Sequence, residues 1–240
     1  MAKIISVLSG KGGTGKSTVT ALLGIAAAKA GKRVLLADFD APLHSLDLLL
    51  SMQDQIVFDL GDVIRSKTRI KQAIYSHPDL PMLSLCCAHQ SEQGQSSLIK
   101  QAALLRGIQN GYDLILLDLP AGAFCSADLA NSVSEEAILV LTPDIVCVRD
   151  AQKLAPMLTV PARIVFNKVN RTAMENGGLV DLDEAMDLCA TALLGVIPFV
   201  KNAANLINKS GAGEKKTMQI ADAIVSRLTG LDIPLILKTV

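Results

Sequence analysis

A doubly wound α/β fold, with a mostly parallel sheet and helices on both faces, is predicted for this 240-residue sequence by three observations. An apolar run, Ile4-Ile5-Ser6-Val7-Leu8, leads into a glycine-rich loop and then into an Ala/Leu-rich segment with helical spacing. Further short apolar runs recur along the chain, and two of them end in aspartate. Half of the residues are hydrophobic but only 3% are aromatic. The core is therefore built from Leu, Ile, Val and Ala, as in parallel strands covered on both sides. At this length one domain, 1–240, is the economical reading.

The loop is Ser9-Gly10-Lys11-Gly12-Gly13-Thr14-Gly15-Lys16-Ser17-Thr18, and it fits G-x-x-x-x-G-K-[ST]. Its glycines let the backbone close into a concave cradle of N–H groups, at the positive end of the helix that spans Val19 to Ala30. Such a cradle binds the phosphates of ATP. Gly10, Gly12, Gly13, Thr14 and Gly15 would supply its backbone. Lys16 would reach the β- and γ-phosphates, Thr18 the α-phosphate, and the Ser17 hydroxyl would ligate Mg²⁺.

Arg33 to Asp38 reads as a second strand, ending in Asp38-Phe39-Asp40. Acidic residues at a strand's carboxyl end lie where open α/β sheets bind ligand. Asp38 would support Mg²⁺, and Asp40 would hold an attacking water. Val57 to Ile74 has apolar residues at helical intervals; its basic side chains Arg65, Lys67, Arg69 and Lys71 read as a solvated face. Met82 to Cys87 is a third strand, His89 to Ser97 a loop, and Leu98 to Gly107 a helix. Asp113 to Asp118 is an apolar strand that delivers a second aspartate, Asp118, to the Mg²⁺ site, and Gly122 follows at a flexible position. Ala137 to Thr142, Arg163 to Asn167 and Leu193 to Pro198 complete the strands, and Thr217 to Leu228 is the last helix. Asn167, at a strand end, presents an amide to adenine. Asn176-Gly177-Gly178 reads as a turn.

Three features exclude function classes. Acidic and basic residues balance at 23 each, so no bulk field attracts nucleic acid or an anionic membrane. Cys86, Cys87, Cys125, Cys147 and Cys189 form no C-x-x-C pair, which points to a reduced cytosolic protein and away from iron–sulfur scaffolds. No signal-peptide pattern precedes the first strand, and no apolar run reaches the roughly 18 residues of a membrane span.

The loop K-G-G-T-G-K-S, the stretch D-F-D-A-P-L-H-S-L-D, the run D-x-P-A-G at Asp118 to Gly122, and V-R-D at Val148 to Asp150 resemble the MinD/ParA family of P-loop ATPases, and its MinD branch above all. The resemblance covers nearly the whole chain. It implies a slow ATPase switch that uses ATP and Mg²⁺, forms a homodimer with ATP, and docks a protein partner. It implies further that Lys11 reaches across the dimer to the partner's nucleotide, and that Lys11, Lys16 and Asp40 carry the chemistry. It also implies that the stretch from Asp38 is a first switch and the run Asp118 to Gly122 a second, in which Gly122 senses the γ-phosphate, and that Pro198 and Phe199 border the base. His44-Ser45 stand where the family usually has Arg-Asn, and Gln152 replaces an acidic residue. The family's basic amphipathic membrane helix has no counterpart in Leu231 to Val240, where Pro234 breaks any helix. That tail is expected to pack on the core. A cytoplasmic protein results, with peripheral contact at the inner face of the cell membrane as the family's own option. Two rival readings within the resemblance are a ParA-type DNA-partitioning ATPase and a flagellar or secretion-system placement scaffold with weak turnover.

Overall fold

The computed structural model describes residues 1–40, 45–88, 95–170, 172, 179–200 and 212–235. His44, the turn at 176–178 and the tail beyond 235 lie outside the described residues. Eight strands form one sheet in the order β3-β4-β2-β5-β1-β6-β7-β8. They are β1 (Lys3–Leu8), β2 (Val34–Asp38), β3 (Tyr75–Ser76), β4 (Leu83–Cys87), β5 (Leu114–Asp118), β6 (Glu136–Leu141), β7 (Ala162–Val169) and β8 (Ala192–Pro198). Every pairing is parallel except β3 with β4. The expected doubly wound, mostly parallel sheet is thus observed.

The strands are buried on both faces, and their side chains alternate between two cores. Ile4, Leu35, Ala37, Ile115 and Leu117 enter one core. Ile5, Val34, Leu36, Leu114 and Leu116 enter the other, beneath α1 (Lys16–Lys29). A Cβ on Gly24 of α1 would stand 2.7 Å from the Leu36 side chain, so glycine permits the close approach of helix and sheet. Leu36 is fully buried, which stabilises the fold by about 1.5–3 kcal/mol.

Among the described residues the remaining α-helices are α2 (Ser45–Leu49), α3 (Leu60–Ile64), α4 (Gln95–Arg106), α5 (Ala123–Val133), α6 (Ile145–Leu154), α7 (Leu182–Cys189) and α8 (Ala212–Leu228). The expectation of one long helical segment over Val57 to Ile74 is corrected. A capping box of Asp59 and Asp62 starts α3 only at Leu60. The chain leaves the helix at Ser66, whose φ is 57°, and a short 3₁₀ turn at Ile70–Ala73 carries the later apolar residues inward. The basic face there is partly neutralised, because Arg65 and Lys67 pair with Asp62.

The described part of the tail, 231–235, contains no helix. Arg227 at the end of α8 donates to the carbonyls of Ile233 (2.8 Å) and Pro234 (2.7 Å), and to Leu194 of β8 (2.9 Å). A single guanidinium fork thereby ties residues 233 and 234 to the sheet edge, while Leu231 and Leu235 stay exposed, so the described part of the tail is tethered rather than packed on the core. Arg227→Ala is expected to lower stability by about 2 kcal/mol. Urea denaturation checks it: the midpoint should fall with an unchanged slope, and protease should cut after α8 sooner.

Candidate nucleotide site

The order of strands reverses at β1, which lies between β5 and β6. Ligands of open α/β sheets bind in the crevice outside such a switch point. The glycine loop emerges there, from the carboxyl end of β1. Gly13 has φ 81° and Gly15 φ 85°, both in the left-handed region. Gly15 caps α1, and a Cβ on it would stand 2.3 Å from Asn167 Nδ2, so no larger residue fits. Cβ positions at Gly12 and Gly13 meet nothing within 4 Å, which leaves the cradle open to a ligand.

Lys16 is 5% exposed, and its Nζ donates to Asp118 Oδ1 at 2.7 Å. Asp40 Oδ2 lies 3.5 Å from the same ammonium, and Ser17 Oγ also lies at 3.5 Å. Four of the expected residues therefore converge on one point. β2 and β5 align Asp38 directly beside Asp118. Burial, and then the charge of Asp118, push the Asp38 carboxyl up to about 7. Burial likewise raises Asp118, against the pull of Lys16 and of hydrogen bonds from Lys16, Ser17 and Thr20. Asp38, expected to support Mg²⁺, also holds backbone. Its Oδ1 accepts from Asp40 N and its Oδ2 from Leu46 N, both at 3.0 Å. It anchors the two ends of the first switch.

Two adjoining cavities share Gly13, Gly15 and Thr18. One, of about 400 Å³, is lined by Lys16, Ser17, Asp40 and Ala121. The other, of about 310 Å³, is lined by Val19, Leu22, Asn167, Lys168, Pro198 and Phe199. A cavity holding Lys16, Ser17 and Asp40, joined through a glycine loop to one walled by Val19, Leu22, Pro198 and Phe199, matches a phosphate chain joined to a base. Phe199 is 53% exposed at the rim, and Pro198 borders it. Asn167 is buried, and its Nδ2 donates to Thr14 O at 2.8 Å, so this amide braces the loop as well as lining the second cavity. Gly122 has φ 117° and donates its N–H to Ser9 O at 3.1 Å, which sets the second switch beside the loop.

Gly10 presses against α6: a Cβ there would meet Asp150 Cβ at 2.6 Å. Lys11 therefore emerges beside that helix, and its Nζ pairs with Asp144 Oδ1 at 3.0 Å. The hydrogen bond to Asp144 raises the Lys11 pKa. Burial works to raise Asp144, but donors from Thr142, Cys147 N and Lys11 outweigh it and hold the carboxyl below its ordinary value. Within one chain, then, Lys11 turns to its own α6.

Three contributors escape a reading of the sequence. Thr20 Oγ1 lies 3.2 Å from Asp118 Oδ1; a threonine four residues past Lys16 returns to the same face of the helix. Asp144 is 133 residues from Lys11, and nothing local pairs them. Lys168 donates to Gly13 O at 2.7 Å.

A family model described as the CobQ/CobB/MinD/ParA nucleotide binding domain matches residues 5–211. The chain belongs to this MinD/ParA family. The septum site-determining protein MinD of Synechocystis is 32% identical over 247 residues, covering 98% of this chain and 92% of that one. MinD of Bacillus subtilis is 32% identical over 249 residues, with the same coverage. Among solved structures, the MinC:MinD cell division complex of Aquifex aeolicus aligns with TM-score 0.85 and 29% identity over 98% of each chain. MinD of Pyrococcus horikoshii, complexed with Mg-ADP, aligns with TM-score 0.75 and 29% identity over 97% of this chain and 100% of that one.

This MinD-type member is accordingly an ATPase with nucleotide and Mg²⁺ as its cofactors. The residues present fit both. Thr14 Oγ1 and Asp118 Oδ2 are buried and find no hydrogen-bond partner among the described residues. Such orphaned oxygens are costly unless a ligand or its ion completes them. Among the described residues, no helix is long and apolar enough to cross a membrane.

Proposed function

We propose that this chain works as an ATP-driven dimerising switch that controls placement of the division site, with 1–240 acting as one unit. The convergence of Lys16, Asp118, Asp40 and Ser17 on one point carries the reading. The cradle at residues 10–15 binds the phosphates, Lys16 spans the β- and γ-groups, and Thr18 lies beneath the α-group. Ser17 and Asp118 would hold Mg²⁺, whose charge neutralises the phosphates as they separate. Asp40 orients the attacking water, and Asp38 keeps the switch carrying Asp40 in register. Chemistry here is positioning and electrostatics, so no protein nucleophile is needed. Asn167, Pro198 and Phe199 enclose the adenine.

The dimer half of the reading is supported by the rim of the site. Lys11 and Asp144 are 35% and 37% exposed, and they stand beside the exposed apolar residues Ile145 and Val146. An ion pair this exposed is worth about 0–1 kcal/mol, so a triphosphate on a second copy can displace Asp144 from Lys11. Gly122, at the second switch, follows the γ-phosphate. A protein partner then docks on the assembled dimer, and the MinC:MinD cell division complex of Aquifex aeolicus supports a protein partner. The relatives' name, septum site-determining, supplies the process. The reading is of a cytoplasmic protein, and lipid vesicles added to the assay below test for contact with the membrane's inner face.

Asp40→Ala is expected to bind ATP with near wild-type affinity while phosphate release falls at least about 100-fold. A coupled phosphate assay beside an ATP titration measures both. Wild-type turnover in the variant would remove Asp40 from the water-holding role.

A further inference from the structure

We propose that Lys168 is a positioning residue that aims the backbone N–H groups of the phosphate loop. The proposal rests on the nucleotide site argued above. Successive side chains on a strand point to opposite faces. At the end of β7 two successive side chains reach the same loop instead. Asn167 Nδ2 donates to Thr14 O at 2.8 Å, and Lys168 Nζ donates to Gly13 O at 2.7 Å.

The cause is a local irregularity. The register between β7 and β8 shifts between Phe166 and Val169, and Lys168 takes φ 58°. A lysine in the left-handed region is strained, and such strain persists where surrounding contacts over-determine it, commonly at functional sites. Here the contacts are with the loop. A bulge of this kind re-aims a side chain.

The consequence follows from the planarity of the peptide. In a trans peptide the C=O of one residue and the N–H of the next point in opposite directions. Holding the Gly13 carbonyl toward β7 therefore turns the Thr14 N–H away from β7, and holding the Thr14 carbonyl does the same for Gly15. Those N–H groups lie within the cradle. Gly13 and Gly15 both have positive φ and little intrinsic preference, so the loop alone does not fix these directions. Lys168 also passes Gly15, its Cε 3.6 Å from the position of a Cβ there, and it lines the base cavity. One side chain thus joins the wall around the base to the cradle around the phosphates.

The test is titration of MgADP into wild type, Lys168→Met, Lys168→Gly and Lys168→Arg, with ³¹P spectra of the bound nucleotide at saturation. Met keeps the stem without the charge, Gly relieves the positive φ, and Arg restores a cationic donor. The dissociation constant is expected to rise about tenfold in the Met and Gly variants, with the β-phosphorus resonance displaced and the α-phosphorus little changed. Arg is expected to recover most of the affinity. The thermal midpoint of nucleotide-free Lys168→Gly should match or exceed that of wild type, which separates positioning from a merely structural role. An unchanged dissociation constant in Lys168→Met overturns the proposal, as does weakened binding with an unmoved β-phosphorus or failure of Arg to restore it. Wild type that does not bind MgADP overturns the nucleotide site itself, and this proposal with it.

Discussion

Replacing Lys16 with alanine is expected to weaken ATP binding at least about 100-fold, or ~2.7 kcal/mol, and to abolish measurable turnover. The ammonium is 5% exposed and is the cation that faces both Asp118 and Asp40. In that dry setting it meets phosphate oxygens without first shedding a water shell, so its contribution exceeds that of a surface lysine. Its loss also leaves Asp118 buried beside Asp38 with no opposing charge, and both carboxyls already lie above their ordinary values. Lys16→Ala should therefore unfold at lower denaturant than wild type even without nucleotide. Equilibrium titration with ATP and a denaturation curve on the same preparation check the two effects. Retention of wild-type affinity would place the phosphates elsewhere.

Much of this site was legible in the sequence because it depends on local geometry. Gly10 to Ser17 specifies a cradle through backbone conformations that few residues other than glycine adopt. Asp38 and Asp118 end apolar strands, and parallel pairing then sets them side by side. What was not legible depends on distant partners. The two-residue strand β3 exists only because β4 offers it an edge. The segment 57–74 has a helical period, but its capping box and Ser66 divide it, so local chemistry overrode the pattern. Asn167 was identified for the base, yet its link to Thr14 required knowing that β7 ends beside the loop. Lys168 gave no warning at all, because nothing in an Asn-Lys pair announces a positive φ.

In the proposed switch, Lys11 is the residue that would join the two copies. It stands between Gly10 and Gly12, so no neighbouring side chain restricts its reach. In the single chain its charge is satisfied by Asp144, a contact made at the surface and readily exchanged. In the dimer the same ammonium would meet a partner's phosphates in a closed interface, where truncating one member of a charged pair costs about 2–5 kcal/mol. Lys11→Ala is thus expected to weaken ATP-dependent association at least about 100-fold while leaving binding of ATP to the single chain largely intact. Only an interaction absent from the monomer separates the two quantities in this way.

Light scattering on Asp40→Ala, with and without Mg-ATP and with Lys11→Ala added, is the most direct test of the switch. The expected outcome is twice the monomer mass for Asp40→Ala with ATP, and the monomer mass once Lys11 is removed. A double variant that still dimerises with ATP, or an Asp40→Ala protein that stays monomeric when saturated with it, would contradict the account.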